Sequence, residues 1–256
     1  MRNDRALLGL VGLAGFAVVL EVAPRVGLVP ARYAPPTSRI VLALRDEVQQ
    51  AQFWHAVRDT LSTWALGLAI AVVAGIALGV LIGSVPALRI ATASTIEFLR
   101  PIPSVALIPL VVVLYGTVRS TLVLVIYASF WQVLVQVLHG VADVDPVARD
   151  TATAYRLGRL ARIRYLVWPT TLPYAVTGIR LAASVALILA ITGELIIGTP
   201  GLGQEIAVAQ ASDSVPSMYA LVVVTGLIGL AANLLARAAE RRALAWHPAN
   251  RGEVPA

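Results

Sequence analysis

The sequence predicts an all-α integral membrane protein with six transmembrane helices. Three observations predict it. Of 256 residues, 58% are apolar and only 13% charged, where soluble domains carry about 25% charged residues. The mean hydropathy is +0.81. The apolar residues gather into six runs, each close to the ~20 residues that cross a ~30 Å hydrocarbon core. This composition excludes a disordered chain and an ordinary cytosolic enzyme.

The first run, Ala6 to about Ala23, follows the charged start Met1-Arg2-Asn3-Asp4-Arg5. It resembles a signal peptide, but Glu21-Val22-Ala23-Pro24-Arg25 is a poor cleavage site, so an uncleaved first span is expected. An outer loop from Pro24 to Asp59 follows. Its prolines 30, 35 and 36 argue against a long helix, while Val41 to His55 reads as an interfacial amphipathic helix. The second span, Leu61 to Gly83, has no charge in 23 residues. At ~1.5 Å per residue it reaches about 35 Å. The third runs from Ile102 to Val118, entered from about Ile96, and the fourth from Thr121 to Leu138. The fifth, Leu172 to Ile197, carries Arg180 and Glu194. The sixth is Met218 to Ala236. Gly198-Thr-Pro-Gly201-Leu-Gly203 reads as a turn between the last two spans.

The net charge is +6, and all 20 basic residues are arginine. Their clustering between apolar runs points to membrane topology and headgroup contact rather than to nucleic acid. Loops on one side hold Arg2, Arg5, Arg89, Arg149, Arg156, Arg159, Arg162, Arg164, Arg237, Arg241, Arg242 and Arg251. Those on the other hold Arg25, Arg32, Arg39, Arg45, Arg58 and Arg119. The twelve-to-six split places both termini in the cytoplasm.

The segment between spans four and five is therefore cytoplasmic. Asp145 before Pro146 is a helix start, a capping carboxylate followed by proline at the first helical position. Gly158 reads as the turn. A second short helix is expected from Arg159 to Trp168, ending before Pro169, with Leu160, Ile163 and Val167 on one face. Such a helix–turn–helix could grip anionic lipid through its arginines or dock a soluble partner through its apolar stripe.

This segment resembles the inner-membrane permease subunits of binding-protein-dependent ABC importers, in the nitrate/sulfonate/taurine group. That family's cytoplasmic signature is Glu-Ala-Ala, three residues, Gly, then about a dozen residues to Leu-Pro. Laid without gaps on Pro169, its first three positions fall on Asp150-Thr151-Ala152, its glycine on Arg156 and its Leu-Pro on Trp168-Pro169. Gly158, two residues later, is expected to supply the turn that Arg156 lacks. Leu172-Pro-Tyr-Ala-Val-Thr-Gly-Ile-Arg-Leu181 is close to the group's run after the signature. Glu97-Phe-Leu-Arg-Pro-Ile-Pro103 with Leu107-Ile-Pro-Leu110 resembles the start of its third span. Gly193-Glu194 and Gly201-Leu-Gly203 match the stretch after span five. The resemblance covers residues 57 to 246.

The resemblance implies a five-helix type I importer permease core with a cytoplasmic coupling helix. The implied division is an N-terminal helix and outer loop (1–56), a permease domain (57–240) and a cytoplasmic tail (241–256). It implies docking of the ATPase at Asp150, Thr151, Ala152, Tyr155, Arg156 and Gly158, with Ala152 and Tyr155 as anchors. The implied partners are two copies of an ABC ATPase carrying ATP and magnesium, an extracytoplasmic solute-binding protein, and a second copy of the permease. The implied solute is nitrate, a sulfonate, taurine or similar.

The chain itself offers no chemistry. Without a lysine there is no phosphate loop. His55, His139 and His247 match no metal spacing, and there is no cysteine. No catalytic residue, metal site or cofactor of its own is expected. The charges in or near spans are candidates for ion pairing or for lining a pathway. They are Glu97 and Arg100, three apart near the cytoplasmic start of span three, and Arg180 and Glu194 in span five. Ser104, Trp131, Gln132, Gln136 and Thr192 are weaker candidates. An integral-membrane enzyme would need a polar catalytic set, and a secondary carrier would favour an internal repeat with broken midplane helices; neither is seen in the sequence.

Overall fold

A computed structural model describes residues 2–30 and 32–245, all helical apart from turns and loops. Of the expected tail 241–256, residues 241–243 end the last helix, and 246–256, with His247 and Arg251, lie outside the described residues. Helix α1 spans Arg2–Arg25 and α2 Thr37–Val48. Helix α3 spans Ala51–Ser84 and α4 Pro86–Leu99. A 3₁₀ turn, Ser104–Leu107, precedes α5, Ile108–Ala142. At one end of the bundle stand α6, Pro146–Ala154, and α7, Arg159–Arg162. Helix α8 spans Trp168–Ile197. At the other end lies α9, Leu202–Ala211, followed by α10, Val215–Ala243. Among the described residues, four segments are long and apolar enough to cross a membrane: Ala51–Ser84, Ser104–Ala142, Arg159–Ile197 and Val215–Ala243.

A glycine seam builds the centre. On α3, Gly67, Gly75, Gly79 and Gly83 meet Val125, Val133, Val137 and Val141 of α5, each pair 58 positions apart in sequence. Ala71 completes the four-residue repeat and is fully buried. Small residues at this spacing let two backbones approach closely. Because both series rise together, α3 and this part of α5 run parallel. Gly140, Gly178 and Gly193 make the matching contacts between α5 and α8, against Thr171, Val133 and Gln136, and Thr121. Here one series rises while the other falls, so α8 is antiparallel to α5. Helix α10 lies antiparallel to α8, with Gly229 near Leu187 and Arg180 paired to Glu240.

Helix α5 is not one straight rod. Gly116 has φ 70 and ψ 169 within it, a conformation that costs an L-residue far more than glycine. Ile108 and Val111 share a buried cluster with Leu124, Val125 and Ala128. On a straight helix Ile108 and Ala128 would stand ~30 Å apart, so the chain reverses at Gly116.

Several sequence expectations are corrected. The third candidate segment opens at Ser104, close to the expected Ile102, and the expected entry from Ile96 lies in α4. The backbone leaves helix at Arg100–Pro103 between the two, and after Ser104 the chain turns at Gly116. The break follows from Pro101 and Pro103, which remove donors and restrict the residues before them. The second span starts at Ala51, not Leu61. The amphipathic helix runs from Thr37 to Val48 instead of Val41 to His55, and His55 belongs to α3. The helix from Arg159 does not stop before Pro169. A π-turn over Ile163–Val167 carries it into α8, where Pro169 sits in the first turn and needs no helical donor.

Candidate functional site

The α6 end is built by local capping. Asp145 Oδ1 accepts from the Val147 amide at 2.8 Å, with Pro146 at the first helical position. The helix closes in a Schellman arrangement, Leu157 N to Ala152 O and Arg156 N to Thr153 O, both at 2.9 Å. The residue at the left-handed position is Arg156, φ 53. Gly158, expected to supply the turn, has φ −62 and caps α7. Arg149 Nη2 donates to Val141 O at 2.7 Å, and Tyr174 Oη donates to Asp143 Oδ2 at 2.9 Å. The first bond ties α6 to the end of α5, and the second fastens the corner between α5 and α6 to α8.

A cleft of about 400 Å³ separates α6 from the following turn, lined by Ala148, Ala152, Tyr155, Leu157, Ala161 and Tyr165. Ala152, expected as an anchor toward a partner, is only 4% exposed and packs inside its own chain. The free apolar surface of this end is instead Tyr155, 80% exposed, with Val147 and Leu160. Asp150, Thr151, Arg156 and Gly158 are exposed beside them.

The four span charges do not converge. Glu97 and Arg100 form no ion pair among the described residues. Both stand just ahead of the candidate membrane segment that opens at Ser104. Tyr127 Oη donates to Leu99 O at 2.9 Å, and by the 58-residue register Tyr127 is level with position 69 of α3, near the centre of the uncharged run 61–83. The 14 residues of α4 rise about 21 Å, which matches that depth. Arg180 Nη1 donates to Glu240 Oε2 at 2.9 Å, so its partner is in its own chain rather than a second copy.

Glu194 is 1% exposed. Its Oε2 accepts from Thr60 Oγ1 at 2.8 Å and from the Gly203 amide at 3.0 Å, while Leu202 N donates to Thr60 Oγ1 at 2.9 Å. It thus satisfies the amino end of α9. Side chains at positions 201 or 203 would overlap it, which accounts for the glycines there. The expected turn over Gly198–Gly203 is confined to 198–201, and Leu202 and Gly203 already begin α9, which the sequence reading does not include. The signal was Leu202, Ile206 and Ala209, apolar at helical spacing and buried against Phe53 and Leu221. Of the weaker candidates, Trp131 has a buried Nε1 with no partner, and Gln132 and Gln136 lie near Gly178.

The family model for the binding-protein-dependent transport system inner membrane component matches residues 71–244. The taurine transport system permease protein of Escherichia coli is 29% identical over 233 residues, 89% of this chain and 83% of that one. The nitrate import permease protein of Leptolyngbya laminosa is 28% identical, over 73% of this chain and 67% of its own. The bicarbonate transport system permease protein of Synechococcus elongatus is 26% identical, over 89% and 85%. Among solved structures, an amino acid ABC transporter with histidines superposes with a TM-score of 0.62 at 19% identity, over 75% of this chain and 94% of that one.

Proposed function

The chain belongs to the binding-protein-dependent transport system inner membrane component family and is a membrane permease subunit of an ABC transporter; on that premise we propose that it imports a small oxyanion. The solute is of the nitrate, sulfonate or taurine kind and arrives on an extracytoplasmic binding protein. The permease works as a homodimer with two cytoplasmic ATPase subunits, which alone carry ATP and magnesium. It spans the membrane six times, with α1 and the two passes joined at Gly116 completing the count. The α6 end is cytoplasmic, as are both termini. The permease domain is 57–240.

The observation that carries the docking role is α6 itself. It is a capped helix tied to α5 by Arg149, at a corner that Tyr174 of α8 fastens through Asp143, with Tyr155 and Val147 exposed at the tip. A helix so held transmits movement of a partner directly into the two central passes. The exposed Tyr155 fits a groove anchor, with Asp150, Thr151, Arg156 and Gly158 around it. ATP-driven closure of the ATPase pair would draw two such helices together and turn the pathway outward.

Affinity capture of the tagged chain from its native membranes tests this. The wild type should bring down an ATP-hydrolysing subunit. Tyr155→Glu should insert and fold normally yet lose that subunit, because an unpaired charge in the seat costs about 2–5 kcal/mol, or roughly 30-fold or more in affinity. Capture at wild-type yield with Tyr155→Glu would overturn the docking role.

A further inference from the structure

The third pass combines three features that do not suit lipid. Its backbone is broken at Arg100–Pro103, at the depth of Tyr127. Helix α4 has no buried residue, and Arg100, Pro101 and Pro103 are exposed. The Arg100 guanidinium makes no hydrogen bond or ion pair with any described residue. Irregular backbone at membrane depth is tolerated only where protein covers it or water lines it. An arginine near the bilayer centre that finds no partner in its own chain marks a functional site by the same reasoning. The other unpaired arginines, such as Arg58, Arg119 and Arg237, lie toward the ends of their helices.

We infer that Arg100 binds the oxyanion head of the solute on a water-lined face of the broken third pass, a step that rests on the permease reading. The ligand chemistry follows from the side chain. A guanidinium presents a planar fork of donors that matches two oxygens of one anion, and it stays charged at any working pH. Taurine, nitrate and bicarbonate, named for three relatives, have little in common beyond an anionic group with several equivalent oxygens. A single fork at mid-depth would accept all three heads without distinguishing what hangs behind them. The Tyr127 bond fixes the carbonyl just before Arg100, so the fork has a defined height. Pro101 and Pro103 hold the backbone after it out of helix, which keeps the side chain clear of a following turn.

The absence of cysteine makes a solute-independent test available. Ser104→Cys in the full-length chain, in membranes and with its ATPase bound, creates one thiol beside the break. It is labelled in parallel with anionic 2-sulfonatoethyl and cationic 2-trimethylammonioethyl methanethiosulfonate. Both should react, and Arg100→Gln should lower the anionic-to-cationic rate ratio about tenfold, as expected for one charge at close range in a wet site. Arg100→Lys should keep the ratio. Millimolar nitrate or taurine should slow labelling with Arg100 present and not with Arg100→Gln. Failure of both reagents to label, a ratio unchanged in Arg100→Gln, or equal protection in both backgrounds would overturn the assignment. Failure of the permease reading would show instead as absence of a captured ATPase, which leaves the labelling ratios readable.

Discussion

The α3–α5–α8 seam and the elements hung from it, α4 and α6, are built on opposite plans. In the seam, Val125, Val133 and Val137 are fully buried, each against a glycine of α3. Helix α4 buries nothing, and α6 buries Ala152 alone. Polar bonds hold them to the frame: Tyr127 to Leu99 and Arg89 to Gly83 for α4, and Arg149 to Val141 for α6. The contrast teaches where this molecule can move. Close-packed glycine contacts have no alternative arrangement, whereas an element tied by one or two hydrogen bonds can shift by breaking them. The seam is the frame, and the hung elements are those that meet a partner, a second copy or the solute.

The largest test of that contrast adds bulk on both sides. A Cβ at Gly75 would already lie 2.8 Å from Val133 Cβ and 3.2 Å from the Leu134 amide nitrogen. Backbone cannot give way there, so Gly75→Leu should destabilise by at least about 3 kcal/mol or block folding. Ala91→Leu on the exposed face of α4 should change stability by less than about 0.5 kcal/mol. Thermal unfolding of the two variants in detergent checks this. Equal midpoints would mean that the seam is not the tighter region.

A smaller effect is expected where frame and hung element join. Tyr127→Phe keeps the ring but deletes the donor to Leu99 O, leaving that carbonyl only the longer bond from the Ile102 amide at 3.3 Å. The cost should be about 0.5–1.5 kcal/mol, felt locally. Amide exchange should quicken in the last turn of α4 and stay unchanged in α3 and α8. Uniform loosening, or none, would show that this bond is not what sets the height of the break.

The frame was legible in the sequence because burial in a membrane writes long apolar runs. The second, fourth, fifth and sixth spans fall inside α3, α5, α8 and α10. The Asp145-Pro146 start was legible because a cap is a local event. What was not legible depended on neighbours. Helix α4 hid because it carries Arg89 and Glu97 and is split by prolines from the apolar run that follows. The pairing of Arg180 with Glu240, 60 residues away, and of Glu194 with Thr60, 134 away, lies beyond any spacing rule. Arg156 misled most simply. A glycine two residues away is the better turn-former by composition, yet the helix runs as far as its cap and packing allow, and the left-handed position falls where it ends.

That arginine supplies the last and smallest test. Arg156 holds φ 53, where an L-residue is disfavoured by about 1–2 kcal/mol and glycine is not. Arg156→Gly should therefore firm the end of α6 by about 1 kcal/mol, and Arg156→Ala, which keeps the Cβ, should not. Exchange protection of the amides at 156 and 157, the two donors of the closing turn, reads this directly. It should rise about fivefold in Arg156→Gly and stay near wild type in Arg156→Ala. Capture of the ATPase separates the side chain from the backbone. If the guanidinium contacts the partner, both variants should lose the same modest amount of capture, because both lack it. If Arg156 serves only to end the helix, Arg156→Ala should capture as well as wild type and Arg156→Gly should differ from it. A glycine variant with no gain in protection would mean that the left-handed residue costs this turn nothing, and that α6 is held more like the seam than like α4.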